Sequence, residues 1–192
     1  MRIVSALARA WVVWALVLAA APSAAASTAW RIDPTHTNVR FWVDAIGFPR
    51  TNGHFSSFVG QLSLDLVHPE RCRVAFRVAA ASVDVGSPSF DDYLRSEAFF
   101  DVAHHPNIEF VSTAVKVVDP SHAEVTGDLT LRGVTRPFTI AVAVNVAPTS
   151  GARRLGFTAT GTIPRLAYGM SAGFPAISND VSLIVTTSAL AP

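Results

Sequence analysis

The sequence predicts an all-β protein that is built from antiparallel strands and carries one short helix. Apolar and polar residues alternate with a period of two in many segments, which is typical of strands with one face in a core. Glycine, proline and small polar residues separate these segments, as turns between antiparallel strands require. With 192 residues, the chain is long enough for one domain, and about eight strands form either a sandwich or a closed barrel.

Residues 1–26 have the composition of a secretory signal peptide. Basic residues near the start are followed by the uncharged apolar stretch 10–21, and the small residues 24–26 supply a cleavage site. The apolar stretch is shorter than the about 20 residues that a membrane-spanning helix needs. We therefore expect cleavage after Ala26, export to the periplasm, and a mature domain of residues 27–192 that does not span a membrane.

Charge is scarce in this chain, and its scarcity excludes several classes of protein. Only 15% of the residues are charged, whereas average globular proteins have about 25%. The formal net charge of +1 gives no electrostatic reason to bind a phosphate backbone, so no nucleic-acid partner is expected. Because Cys72 is the single cysteine, the chain cannot form an internal disulfide, and its stability must come from packing. The place of Cys72 in an alternating strand indicates a buried thiol.

The predicted strands follow one another along the mature chain with short loops between them. In residues 72–78, apolar side chains alternate with Arg73 and Arg77, which places the arginines on the outer face. Residues 138–144 alternate large with small apolar side chains. In chain order, the strands are predicted near residues 30–33, 38–43, 61–66, 72–78, 108–117, 124–131, 138–144, 155–161 and 181–185.

One segment, between the fourth and fifth of these strands, has helical periodicity instead. It begins at Ser89, which forms a capping-box pattern with Asp92, and its apolar residues continue at helical spacing to Phe100. The carboxylates of Asp91 and Asp92 lie in the first turn, where the helix dipole favours negative charge. The helix therefore explains both carboxylates, and they do not indicate an acid–base pair.

The inward-facing positions of the predicted strands are rich in phenylalanine. They include Phe41, Phe55, Phe58, Phe76, Phe110, Phe138 and Phe157. Side chains can fill the interior of a small barrel or leave room for one ligand, and cavities with aromatic walls suit apolar ligands. The residues alone therefore leave two alternatives open, a filled core and a ligand cavity.

Five segments in order carry a resemblance to a known family. They are residues 30–41, 53–60, 99–112, 125–137 and 163–181. Together they resemble the YceI-like family of periplasmic lipocalin-like proteins over residues 30 to about 187. The resemblance implies an extended, antiparallel, eight-stranded lipocalin-like barrel with an apolar tunnel. In that family, the tunnel holds a polyisoprenoid or another long-chain amphiphile without catalysis.

From this resemblance we expect a set of ligand-binding residues. Seven residues are expected to line the tunnel, and Tyr93, Asp91 and Arg165 are expected at its mouth, beside the short helix. The seven are Phe41, Phe55, Phe76, Phe110, Leu129, Phe138 and Phe157. Relatives usually carry Arg and His in the helix where this chain has Phe90 and Tyr93. The resemblance therefore implies the tunnel but no particular head group.

No catalytic residue, cofactor or metal site is expected. The only histidine cluster is His104–His105 near Asp101, and neighbouring residues of a strand point to opposite faces, away from a shared metal. The sequence contains no nucleophile elbow, P-loop or dinucleotide fingerprint. Two alternatives remain beside the ligand carrier: an enzyme or redox-accessory protein on the same fold, and a structural or interaction barrel with a filled core. A homodimer is compatible with each.

Overall fold

A computed structural model describes residues 28–65, 67–145 and 154–191. The predicted signal peptide lies outside these residues. In the described part, the chain forms eleven strands and one α-helix. Their bounds are β1 Thr28–Ile32, β2 Asn38–Ala45, β3 Phe48–Phe55, β4 Phe58–Leu64, β5 Arg73–Ala79, β6 Val83–Asp84, α1 Pro88–Arg95, β7 Asn107–Asp119, β8 His122–Leu131, β9 Val134–Val144, β10 Arg154–Pro164 and β11 Ile177–Leu190. No helix in the described ranges is long and apolar enough to cross a membrane.

The sheet closes on itself as a barrel. Eight antiparallel strands form the closed circuit, in the order β1, β4, β5, β7, β8, β9, β10 and β11. The circuit is closed where Arg31 and Ile32 of β1 pair with Leu190 and Ala189 of β11. The predicted all-β, antiparallel, eight-stranded barrel with one short helix is therefore confirmed.

The longest strand joins the closed circuit to three further strands. β11 has 14 residues; its last residues pair with β1, and most of its length pairs with β2. A 3₁₀ turn at Pro34–His36 separates β1 from β2, and Asp33 caps it by accepting a hydrogen bond from the Thr35 N–H at 3.0 Å. β2, β3 and β6 then extend the wall beyond the circuit at the end that α1 covers.

Two strands of this extension were missed by the analysis of alternation. β3 spans Phe48–Phe55 and exposes most of its residues, so it lacks a regular apolar row. β6 has only 2 residues, too few for a period to be visible. The helix is also shorter than expected, because it ends at Arg95 and the chain continues to Phe100 in turns.

Candidate ligand cavity

A cavity of about 500 Å³ lies inside the barrel. Side chains from the strands of the circuit, from β2 and β3, and from α1 form its wall, and nearly all of them are apolar. A barrel whose phenylalanines filled the core would leave no space of this size. The interior is therefore hollow, which decides between the two alternatives that the inward-facing phenylalanines left open.

The cavity wall contains most of the residues that the sequence analysis singled out. Those present are Phe41, Phe55, Phe76, Phe110, Leu129, Phe138, Phe157 and Arg165. Leu129 is 5% exposed and belongs to a buried cluster with Leu131, while Phe110 and Phe138 pack against that cluster in an edge contact, 6.2 Å between ring centres. These side chains come together in one wall, and their contact with a ligand stays a prediction.

Four phenylalanine rings lie along the wall because each covers a glycine of a neighbouring strand. Phe41 faces Gly53 across β2 and β3, and Phe76 faces Gly60 across β5 and β4. A Cβ added at Gly60 would lie 2.7 Å from Cδ2 of Phe76, closer than any real contact of this kind. Each ring therefore occupies the space that a side chain at the glycine would need.

The same arrangement recurs on the next strands of the circuit, from β7 to β10. A Cβ at Gly127 would lie 2.7 Å from Cζ of Phe110, and one at Gly161 would lie 2.7 Å from Cζ of Phe138. We call these four pairs of residues the ring–glycine pairs. Because the rings lie over glycines instead of pointing across the barrel, the lumen stays open.

The end of the cavity beside α1 is closed. Leu94 of α1 and Phe99 are each 7% exposed, Met170 is 5% exposed, and all three belong to the wall. They pack into buried apolar clusters that include Val39 and Tyr168. These side chains therefore cover the cavity at this end.

Arg165 lies at the closed end and uses its guanidinium to hold the backbone. It is 2% exposed, and its N–H groups donate to the carbonyls of Ser178 at 2.7 Å and of Ala172 and Ile177 at 2.9 Å. A fourth bond goes to the carbonyl of Met170. Burial lowers the pKa of Arg165. Its donors are taken up by the loop before β11 and by the first two residues of β11, so the expected place of Arg165 at a mouth needs correction.

Asp91 and Tyr93 lie outside the cavity wall, which also corrects the expected mouth. Asp91 is 8% exposed, and its carboxylate accepts a hydrogen bond from the Val85 N–H at 2.7 Å, which joins α1 to the residue that follows β6. Tyr93 is 49% exposed and packs on Phe90 and Phe99 on the outside of the barrel. The helix turns Leu94 inward, so the neighbouring Tyr93 faces outward.

The cavity opens at the opposite end, at the hairpin between β7 and β8. The wall residues of β8 become steadily more exposed towards this end, from Leu131 at 4% and Val125 at 6% to Ala123, which is half-buried, and His122, which is exposed. Val117 of β7 is also a wall residue and is 49% exposed. A 3₁₀ turn at Pro69–Arg71 packs against β7 near this opening. We define the mouth as Asp65, Pro69, Cys72, Val117, Asp119, Pro120 and His122.

The mouth is where the apolar wall meets ionisable groups. Asp65 is 5% exposed, and its Oδ1 accepts hydrogen bonds from the N–H groups of Val67 at 3.0 Å and His68 at 2.8 Å. The bond from His68 holds the pKa of Asp65 below its usual value, although burial opposes this. Burial raises the pKa of the Cys72 thiol, so Cys72 stays protonated and unreactive at neutral pH.

The hairpin side of the mouth carries a second carboxylate. Asp119 accepts a hydrogen bond from the Ser121 N–H at 2.7 Å and lies 2.9 Å from Nδ1 of His122. The bond from Ser121 is the largest of the effects that hold the pKa of Asp119 below its usual value. Both carboxylates of the mouth are therefore negatively charged at neutral pH.

Residues 30–189 match the family model described as the YceI-like domain. The chain belongs to the YceI-like family. It is 34% identical over 154 residues to a UPF0312 protein of Ectopseudomonas mendocina, which covers 79% of this chain and 80% of the relative. A UPF0312 protein of Azotobacter vinelandii is 32% identical with the same coverage. The family that the five sequence segments resemble is thus confirmed.

Solved structures of YceI-like proteins share the fold. BcnA of Burkholderia cenocepacia superposes with a TM-score of 0.75 at 22% identity, over 82% of this chain and 98% of that one. A polyisoprenoid binding domain from Saccharophagus degradans superposes with a TM-score of 0.70 at 17% identity, over 86% and 99%. At this identity, the comparison establishes the barrel fold.

Sequence reasoning missed the mouth of this YceI-like domain. The alternation of β4 places Leu62 and Leu64 inward, which the wall confirms, and would turn Asp65 outward. The strand ends at Leu64, so Asp65 leaves the alternation and becomes buried in a turn. An aspartate shortly before His68–Pro69 is a turn signal that marks this departure.

Among the residues that the structure describes, one group of side chains could hold a metal ion. Glu97, Asp101 and His104 place ligand atoms within 4.8 Å of one another, and Nδ1 of His104 lies 2.9 Å from Oδ1 of Asp101. His104 and His105 are not neighbours on a strand, as the sequence led us to expect, because they lie in and just after a turn. The group is largely exposed and does not belong to the cavity wall.

Proposed function

We propose that this YceI-like domain binds a long-chain amphiphile in its barrel cavity, in the periplasm, without catalysing a reaction. The observation that carries the proposal is a hollow apolar cavity of about 500 Å³, closed at α1 and open at the mouth. Each CH₂ that moves from water into such a cavity contributes about 0.8 kcal/mol. An apolar wall needs no hydrogen bonds from the chain, so a hydrocarbon tail fits it and a polar head belongs at the mouth.

Two further points support the proposal. A related barrel is described as a polyisoprenoid binding domain, which makes a polyisoprenoid-like tail the first candidate for the ligand. The composition of residues 1–26 is typical of an export signal, which favours the periplasm as the site of binding.

An enzyme on the same fold would need polar groups that converge on one part of the cavity. Among the described wall residues, the ionisable side chains at the mouth are Asp65, Cys72, Asp119 and His122, and Arg165 lies at the other end. Asp119 and His122 pair with each other, and Arg165 is bonded to backbone carbonyls. Binding therefore fits the wall better than catalysis.

The direct test is to identify what the protein carries. The protein is purified from its natural compartment, extracted with organic solvent, and the extract is analysed by mass spectrometry against the extract of a heat-denatured, refolded sample. We expect one class of amphiphile with a long hydrocarbon tail. An empty extract that stays empty after incubation with long-chain lipids would contradict the proposal.

The size of the cavity predicts how affinity depends on chain length. If a chain carbon takes about the 30 Å³ of a water molecule, the cavity encloses roughly 15 carbons. For straight-chain alcohols of increasing length, affinity should rise about fourfold per carbon and level off near that length. Displacement of a fluorescent apolar probe measures this series. An affinity that does not change with chain length, or that keeps rising far beyond the expected length, would show that the alcohol chain is not enclosed in the cavity.

A further inference from the structure

Several metal-ligating side chains meet in the turns between α1 and β7, outside the cavity wall. Glu97 and Asp101 supply carboxylates and His104 supplies an imidazole, and their ligand atoms all lie within 4.8 Å of one another. His105 adds a second imidazole, whose Nε2 lies 3.9 Å from Oδ2 of Asp101. The two imidazoles therefore stand at the two oxygens of one carboxylate, and a second carboxylate lies beside them.

The position of Glu97 distinguishes this group from similar pairs elsewhere in the chain. At three places in the described residues, a carboxylate oxygen of aspartate lies 2.9 Å from Nδ1 of the histidine three positions later: Asp33 with His36, Asp101 with His104, and Asp119 with His122. Of these, the pair of Asp101 and His104 has a third ligand within 4.8 Å. At Asp33 the further charged neighbour is a cation instead, Arg154 at 3.1 Å. Two neighbouring carboxylates repel each other, and a bound cation removes that repulsion.

The turns hold these ligands on a fixed backbone. The carbonyl of Asp101 accepts a hydrogen bond from the N–H of His104 at 3.1 Å, and the carbonyl of Glu97 accepts one from Arg132 at 2.7 Å. Between the two carboxylates along the chain, Phe99 is 7% exposed and packs in the cavity wall. Because the backbone is anchored in this way, rotation of the side chains is enough to bring the ligand atoms together.

The mixture of nitrogen and oxygen ligands indicates the class of metal. Imidazole nitrogen suits Zn²⁺, Ni²⁺ and Cu²⁺, whereas Mg²⁺ and Ca²⁺ prefer oxygen ligands alone. Three protein ligands with a fourth position left open are a common arrangement around zinc. Nitrogen and oxygen ligands lie about 2.0–2.2 Å from Zn²⁺, so in a tetrahedron they are roughly 3.5 Å apart. Ligand atoms that are within 4.8 Å of one another need only small movements to reach this spacing.

We propose that Glu97, Asp101 and His104 bind a divalent transition-metal ion of the Zn²⁺ class, with His105 next to the fourth position. Glu97 follows the end of α1 and His104 precedes the start of β7, so the bound ion ties these two parts of the chain together. None of the three ligands belongs to the described cavity wall. The inference therefore goes beyond the proposed function and does not depend on it.

Calorimetric titration of the untagged wild-type protein with ZnCl₂ and with MgCl₂ tests the site. We expect Zn²⁺ to bind at one site per chain, and Mg²⁺ to bind at least about tenfold more weakly because the site contains imidazole. Since an ion that binds the folded chain stabilises it, Zn²⁺ should also raise the unfolding temperature. Both measurements use the wild-type protein, so they test the proposal whether or not a variant folds.

Variants then assign the binding to these side chains. Glu97→Gln and His104→Gln each remove one ligand at an exposed position. We expect each change to weaken Zn²⁺ binding by more than about tenfold, because even the loss of an outer-shell partner costs roughly that much. His36→Gln is the matched control, since His36 forms the same kind of pair with Asp33 and does not belong to the group of three ligands. It should keep the wild-type affinity.

The outcomes separate this inference from the carrier function. Failure of the wild-type protein to bind Zn²⁺, or binding of Mg²⁺ with equal affinity, would overturn the inference. An unchanged Zn²⁺ affinity in both Glu97→Gln and His104→Gln would also overturn it, because the ion would then be bound elsewhere on the protein. The carrier function is tested by the organic extract and stands or falls independently of these results.

Discussion

Replacing Gly161 by valine is expected to shorten the cavity and to weaken the binding of a long-chain alcohol about 100-fold. Gly161 faces the interior between Ala159 and Ile163, which are both wall residues. Because Cζ of Phe138 lies 2.7 Å from where a Cβ would stand, the ring must swing into the lumen. The carbons of the alcohol that would lie beyond this ring no longer fit in the cavity, and each carbon left in water weakens binding by about 0.8 kcal/mol.

The effect should depend on chain length, which distinguishes a blocked cavity from general damage. Gly161 lies towards the closed end of β10, so short chains that reach only the outer part should bind as they do in the wild type. The plateau of affinity against length should move to shorter chains. Titration of the alcohol series measures the plateau, and thermal unfolding of the same samples reports whether the barrel is intact.

Two further variants control this prediction. Gly156→Ala changes a glycine of the same strand whose Cβ would make only an ordinary contact, 3.4 Å from Cβ of Asn145, and should leave the series unchanged. Adding Phe138→Ala to Gly161→Val removes the displaced ring, so the affinity should again rise with chain length to nearly the wild-type plateau. An unchanged plateau in Gly161→Val would mean that the ring–glycine pairs do not set the size of the lumen.

Removing the guanidinium of Arg165 is expected to give the largest loss of stability. Arg165→Met leaves the buried carbonyl of Met170 and the partly buried carbonyls of Ala172, Ile177 and Ser178 without this donor. At about 1 kcal/mol or more for each lost bond, we expect the free energy of unfolding to fall by about 4 kcal/mol.

Urea denaturation of the purified protein measures this loss. Arg50→Met is the control, because Arg50 is exposed: its guanidinium pairs with the exposed Asp44 at 2.8 Å and lies 5.9 Å from the ring centre of Trp42. Such surface pairs contribute about 0–1 kcal/mol, so its midpoint should stay close to that of the wild type. Equal midpoints for the two variants would show that Arg165 does not hold the loop before β11.

The sequence predicted most of the barrel because strands with one buried face follow a period of two. The alternation in residues 72–78 and 138–144 reappears in β5 and β9. β3 was not predicted because most of its residues are exposed, so its sequence shows no regular row of apolar residues at every second position. The alternation of strand β7 is interrupted by a register shift between Ser112 and Ala114. Even-numbered Phe110 before the shift and odd-numbered Val117 after it therefore both face the cavity.

The cavity itself could be predicted only in part. The sequence names the inward phenylalanines, but their number cannot distinguish a hollow interior from a filled one. The deciding partners are glycines on other strands, and Gly161 becomes a neighbour of Phe138 only when β9 and β10 pair. The position of the mouth also depends on distant parts of the chain, since Phe99 and Met170 must come together with α1 to close the other end.

The ring–glycine pairs have a consequence for how relatives diverge. A glycine codon becomes a valine codon through one nucleotide change, and the change acts on the lumen while the backbone ladder of the strand stays the same. Duplicated genes for this barrel can therefore acquire lumens of different length through single mutations at interior glycines, without first evolving a new topology.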